Sequence, residues 1–180
     1  VMTVSMLSRS YQRFLKRKLL LLSDRTVVIA ILILPAIHYC LAILCRSLYL
    51  QDGTTAIWPS TGVYLAAVLL LGYRIWPAIF VSELIANSFL FYTNIAVSSS
   101  QSAIGLIDPL VAAFLIKYFI GRRHLLGRYQ NVFKFVLLLV PSLVVTTTLC
   151  ITILCFSGNT PWAEYGDAWR GWFAATMFGE

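Results

Sequence analysis

The chain has 180 residues, of which 59% are hydrophobic and only 12% charged, whereas soluble domains run at roughly 45–50% and ~25%. With 14% aromatic residues and a mean hydropathy of +0.82, an ordinary soluble globule, a disordered tail and a nucleic-acid-binding domain are all excluded, because each needs abundant polar surface. The net charge of +7 is carried by clustered basic residues, so their positions carry more information than their sum.

Residues 1–25 form a basic segment holding Arg9, Arg13, Lys16, Arg17, Lys18 and Arg25. The apolar stretch that follows is too long for a signal peptide and has no small-residue cleavage pattern, so it reads as an anchor. Twenty uncharged residues separate Arg25 from Arg46; as helix they cover about 30 Å, the thickness of the hydrocarbon core. His38 lies mid-span, either as a proton or pH sensor or as a hydrogen-bonded structural residue.

Next comes Trp58 to Gly72, apolar but only 15 residues long, opening on Trp58-Pro59-Ser60-Thr61-Gly62. Proline in the first turn followed by hydroxyl residues describes a helix start. If that start is sunk into the bilayer, its positive dipole end favours an anion or a polar ligand group; the other reading is an interfacial turn with Trp58 in the aromatic belt.

Trp76–Asn94 and Ser102–Ile120 are apolar runs of 19 residues, each interrupted by one carboxylate, Glu83 and Asp108. The uncharged stretch around Ala96 to Gln101 reads as the loop between them. An intramembrane carboxylate costs ~2.5–3.5 kcal/mol on insertion scales and usually faces a partner, a cavity or a pathway. Glu83 shares a helical face with Asn87, which suits either a functional site or hydrogen-bonded glue between helices. Asp108 precedes Pro109, so a bend is expected beside it. Counting from opposite faces of the bilayer, the two carboxylates read as separate polar points rather than an acid/base dyad; whether one cavity joins them stays open at this level.

A further 29 uncharged residues lie between Lys134 and Glu164, with Pro141 as an expected kink. Trp169–Phe178 then begins a sixth apolar stretch that stops after about half a bilayer, and this segment is expected to continue in a longer protein. The expected fold is an all-α polytopic bundle of five spans plus part of a sixth, with residues 26–180 as the transmembrane domain. Twelve of the 14 basic residues fall on one side of it, Arg46 and Arg170 being the exceptions, and the positive-inside rule makes that side, and the N-terminus, cytoplasmic.

Four cysteines lie in or near apolar spans without metal-ligand spacing. No metal or cofactor is expected, and no nucleophile elbow, zinc-protease pair or phosphate loop points to catalysis within this segment.

Ile57-Trp58-Pro59-Ser60-Thr61-Gly62, then Leu70-Leu71-Gly72-Tyr73-Arg74-Ile75-Trp76-Pro77-Ala78-Ile79, then Glu83-Leu84-Ile85-Ala86-Asn87 resemble the membrane-associated sensor domain of the MASE type, first class. Ala112-Ala113-Phe114-Leu115-Ile116-Lys117 and Trp169-Arg170-Gly171-Trp172-Phe173 with Gly179 resemble its later segments. Asp108 falls near a family Glu, while a preceding family Asn appears as Gly105 and an Asp after the tryptophans as Thr176. The resemblance implies a multi-pass sensory module of the bacterial inner membrane, fused to a histidine kinase, diguanylate cyclase or similar output domain, as in two-component signalling. Homodimerisation would then run through that output domain.

Candidate ligand contacts are Trp58, Pro59, Thr61, Gly62, Arg74, Trp76, Glu83, Asn87 and Asp108, for a small molecule of unknown identity; the other expected partner is the lipid bilayer, with no nucleic acid. A transport or substrate-capture protein with a midplane site is the alternative reading, and a partner-binding anchor is the third.

Overall fold

The computed structural model describes the backbone of residues 2–47, 57–92, 94–119 and 129–180, and the side chains of 25–47, 57–92, 94–119 and 133–180. The expected loops at 51–55 and 122–128, and the side chains of the basic cluster between Arg9 and Lys18, lie outside the described residues. Among the described residues all regular structure is helical: α1 (Met2–Ser47), α2 (Pro59–Leu71), α3 (Trp76–Ala86), α4 (Ile95–Phe119), α5 (Tyr129–Phe156) and α6 (Tyr165–Gly179). A single 3-10 turn, Tyr73–Ile75, joins α2 to α3, and α3 passes directly into a π-helical turn, Asn87–Phe91.

Four stretches are long and apolar enough to cross a membrane: Arg25–Ser47, Tyr73–Phe91, Ile95–Phe119 and Phe133–Phe156. The fifth expected span is helical too, but α2 has 13 residues, about 20 Å of helix, which is shorter than the hydrocarbon core. Its end is sharply defined. Gly72 takes a positive φ of 92° and its N–H returns to the Val68 carbonyl at 3.0 Å, while the Lys117 ammonium donates to that same carbonyl at 3.2 Å.

Two boundaries differ from the sequence expectation. The residues around Ala96 to Gln101, expected as a loop, are the first turns of α4. Asn94 Oδ1 accepts from the Ala96 N–H at 2.9 Å, and Ser100 and Ser102 return their hydroxyls to carbonyls four residues back, so these polar side chains satisfy themselves inside the helix. Conversely, the uncharged stretch after Lys134 is not helical throughout. It leaves the helix at Phe156, where Gly158 adopts a φ of 76° and donates to the Cys155 carbonyl, a backbone turn that glycine makes without steric penalty.

The bundle is assembled on stripes. Along α1, Ala30, Leu34, His38, Ala42 and Cys45 are buried at spacings of four, four, four and three, whereas Val28, Ile29, Leu32, Ile33 and Leu44 on the remaining surface are exposed. That is one helical face turned inward and a wide apolar face left for lipid. Helix α3 packs against α1 and α4, α5 lies between α4 and α6, and α2 packs on α4 and α6. Small residues sit where helices meet, with Ala42, Ala78, Ala112, Ala113, Ser82, Ser98 and Ser102 fully buried, as expected where association depends on close backbone approach rather than on expulsion of water.

One apolar cluster joins Leu34, Val68, Ile79, Ile116 and Leu143 across five helices. A second, of Val97, Ile151, Leu154 and Cys155, lies toward the other ends of α4 and α5 and packs on Tyr165 and Trp169. Along both helices many of the buried residues between these clusters are polar: Ser98, Gln101, Ser102 and Asp108 on α4, and Thr146 and Thr147 on α5.

The two kinds of surface respond differently to substitution. Ala113→Leu, forcing a larger side chain into a sealed contact, is expected to lower unfolding free energy by about 1–3 kcal/mol. Leu70→Ala, at a side chain 82% exposed on α2, is expected to change it by no more than about 0.5 kcal/mol. Detergent-titrated unfolding in mixed micelles measures both.

Candidate ligand-binding cavity

The polar layer lines a cavity of about 1010 Å³ whose walls include Trp58, Glu83, Asn87, Asp108, Cys150 and Trp172. Five sequence-predicted residues, Trp58, Thr61, Glu83, Asn87 and Asp108, are therefore brought to one place. Both intramembrane carboxylates line the same space, which answers the question the sequence leaves open.

Glu83 is held from several helices at once. His38 Nδ1 on α1 lies 3.5 Å from Glu83 Oε1 and also shares a hydrogen bond with the Tyr64 hydroxyl of α2. The Tyr64 hydroxyl in turn reaches the Glu83 carboxylate. One turn along α3, Asn87 Nδ2 donates to Glu83 Oε2 at 3.3 Å and to the Ser102 hydroxyl of α4 at 3.1 Å. On the α4 side Gly105 faces the Glu83 side chain, and a Cβ there would stand 3.3 Å from Glu83 Cδ. His38 is thus buried within the Glu83 network and meets Trp58 edge-on at 6.0 Å between ring centres.

Trp58 closes one side of the cavity, packing edge-to-face on Phe91 at 5.7 Å. Its position is set by the start of α2. Pro59 occupies the first turn, where a missing N–H leaves no bond unmade. The Trp58 N–H donates to the Ala175 carbonyl of α6 at 2.8 Å, and the Thr61 hydroxyl donates to the Trp58 carbonyl at 2.9 Å. Gly62 is needed because the Gly179 carbonyl occupies the place of a side chain, and Gly179 because the Trp58 carbonyl does the same on its side. This helix start therefore faces α6 backbone, and with the Trp58 N–H already bonded it offers less to an anion than the sequence suggests.

Arg74 and Trp76 are placed elsewhere. Both are exposed near the turn at the far end of α2, about 20 Å of helix away from Trp58.

Other cavity residues are absent from the sequence expectation. Gln101 donates from Nε2 to the Cys150 carbonyl of α5 at 2.9 Å, and Thr146, Thr147 and Cys150 form the α5 wall. The signal for the α4 wall is present as Gln101, Gly105 and Asp108, a polar or small residue every three or four positions on one face. Cys150, read from sequence as packing, is buried and also lines the cavity. All four cysteines are free.

These features define a multi-pass helical membrane domain with a partly polar cavity between its helices. The model of the MASE1 family matches residues 28–179, and the chain belongs to this family of membrane-associated sensor domains. No curated protein and no solved structure matches the chain significantly.

The two glycines at helix contacts should differ in tolerance. Gly62→Ala meets backbone carbonyl and is expected to cost about 1–3 kcal/mol, in line with other overpacked contacts. Gly105→Ala meets only the movable end of Glu83 and is expected to lower thermal stability less. Melting temperatures of the purified proteins in the same detergent check the order.

Proposed function

We infer that this domain is the sensory input module of a bacterial inner-membrane signalling protein, with a cytoplasmic N-terminus and five spans leading into a sixth. A small stimulus molecule binds in the cavity and biases the packing of the helices around it. A cytoplasmic output domain, of kinase, cyclase or similar type and acting as a homodimer, receives that bias. The observation that carries this reading is that Glu83 and Asp108, both costly to place in a membrane, line one cavity together with Asn87 and Trp58. Membership of the MASE1 sensor family supports it.

Binding can signal only through different affinities for two arrangements of the bundle. A near-complete switch requires about 5.5 kcal/mol of difference, or ~10⁴-fold. The Glu83 network is suited to such a difference, because it joins α1, α2, α3 and α4 through hydrogen bonds that a ligand would have to rearrange.

Glu83→Gln and Asp108→Asn keep side-chain shape and replace the acid by an amide. In cells producing the full-length protein, both variants are expected to insert at parental levels and to lose the change in output that the parent shows across a panel of growth conditions. Retention of every parental response by both variants would rule the cavity out as the input.

A further inference from the structure

The walls of the cavity are chemically one-sided. Five polar side chains of the lining already donate within the protein: Thr61 to the Trp58 carbonyl, Asn87 to Glu83 and Ser102, Gln101 Nε2 to the Cys150 carbonyl, Thr146 to the Ser142 carbonyl and Thr176 to the Trp172 carbonyl. The acceptors are less well matched. Gln101 Oε1 has no hydrogen-bond partner, and the Asp108 carboxyl has beside it only the Ser142 hydroxyl and the Glu180 carboxyl, neither in a completed hydrogen bond; Gln101 and Asp108 are each only 3% exposed. The Glu180 carboxylate beside Asp108 is in the same condition. Buried acceptors without donors are rare in folded proteins because each costs about 1–3 kcal/mol, more when charged.

Charge runs the same way. The lining carries Glu83, Asp108, Glu164 and Asp167 against a single cation, Arg170. That guanidinium is exposed and already paired with Asp167. Trp58, Phe91 and Trp172 add aromatic faces, which attract cations through the ring quadrupole.

Resting on the cavity as the input site, we propose that its ligand is a small organic cation bearing N–H donors, a primary or secondary ammonium, held by Asp108 and Gln101 with Glu83 nearby. An ammonium supplies what the walls lack, several donors and a positive charge on one group. A compact metal ion fits less well. The aromatic walls and a volume of about 1010 Å³ suit an organic body, and among the described residues no three His, Cys, Asp or Glu side chains converge to hold a metal.

Calorimetric titration of the purified full chain in nanodiscs distinguishes the possibilities with four probes: 1,4-diaminobutane, 1,4-butanediol, succinate and calcium chloride. The diamine is expected to bind saturably, at least tenfold more tightly than the diol, with no binding of succinate. Asp108→Asn is expected to weaken diamine binding at least tenfold. Arg170→Gln, an exposed change outside the packed interior, is expected to strengthen it about twofold or more, and it serves as the decisive variant if Asp108→Asn does not fold.

Equal binding of the diol, preference for succinate, binding of calcium without the diamine, or no saturable diamine binding would each overturn the assignment. So would an unchanged affinity in a folded Asp108→Asn protein. Binding of the diol or succinate leaves the cavity itself intact as an input site, whereas loss of that reading is judged by the cellular response of the Glu83 and Asp108 variants.

Discussion

Glu83 is tolerated inside an apolar bundle only because four helices converge on it. A carboxylate in hydrocarbon must find partners within the protein, since lipid provides none. Here they come from His38, Tyr64 and Asn87, with Gly105 making room on the facing helix. The register of α1 against α3, the depth of α2 and the approach of α4 are all tied to the needs of one side chain. Deleting it would leave a buried imidazole, phenol and amide short of partners, so the network holds the fold and the site together.

The same economy explains the composition of the interior. Serine and threonine hydroxyls on α4 and α5 mostly return to carbonyls of their own helix, as Ser102 does to Ser98 and Thr146 to Ser142. They therefore add polarity and small volume to the walls without demanding partners across the gap. Glu83 and Asp108 differ from them, because a carboxyl group presents two oxygens whose partners must come from elsewhere in the bundle. One is surrounded by donors of the bundle; the other faces Glu180 and Ser142 without a completed hydrogen bond. The two buried acids thus differ in how far the bundle itself meets their hydrogen-bonding needs.

Much of this was legible in the sequence, for physical reasons that can be named. Uncharged runs about one bilayer long identify α1 and α5, an apolar run broken by Asp108 identifies most of α4, and Glu83 with Asn87 four residues later marks a polar face. Lateral placement was less accessible. That Glu83 and Asp108 line one cavity depends on how α3 and α4 lean together, which residue counts along straight helices do not convey. The serines before Asp108 hid the start of α4 because polar side chains that bond to their own backbone look like a loop in composition. Arg74 and Trp76 stand close to Glu83 in the sequence and to the family motif, yet the short helix α2 carries Trp58 to one end of the bundle and leaves these two at the other.

The meeting of α2 with α6 has a mechanical side. Side chains absorb small displacements by changing rotamer, so contacts made through them are compliant. At Gly62 and Gly179 no side chain intervenes, and the Trp58 N–H is fastened directly to the Ala175 carbonyl. Such a joint behaves as a stiff link: movement of α6 along its axis carries the Trp58 backbone with it, and the indole that closes the cavity follows. The backbone of Trp58, and with it one wall of the cavity, is thereby anchored to α6.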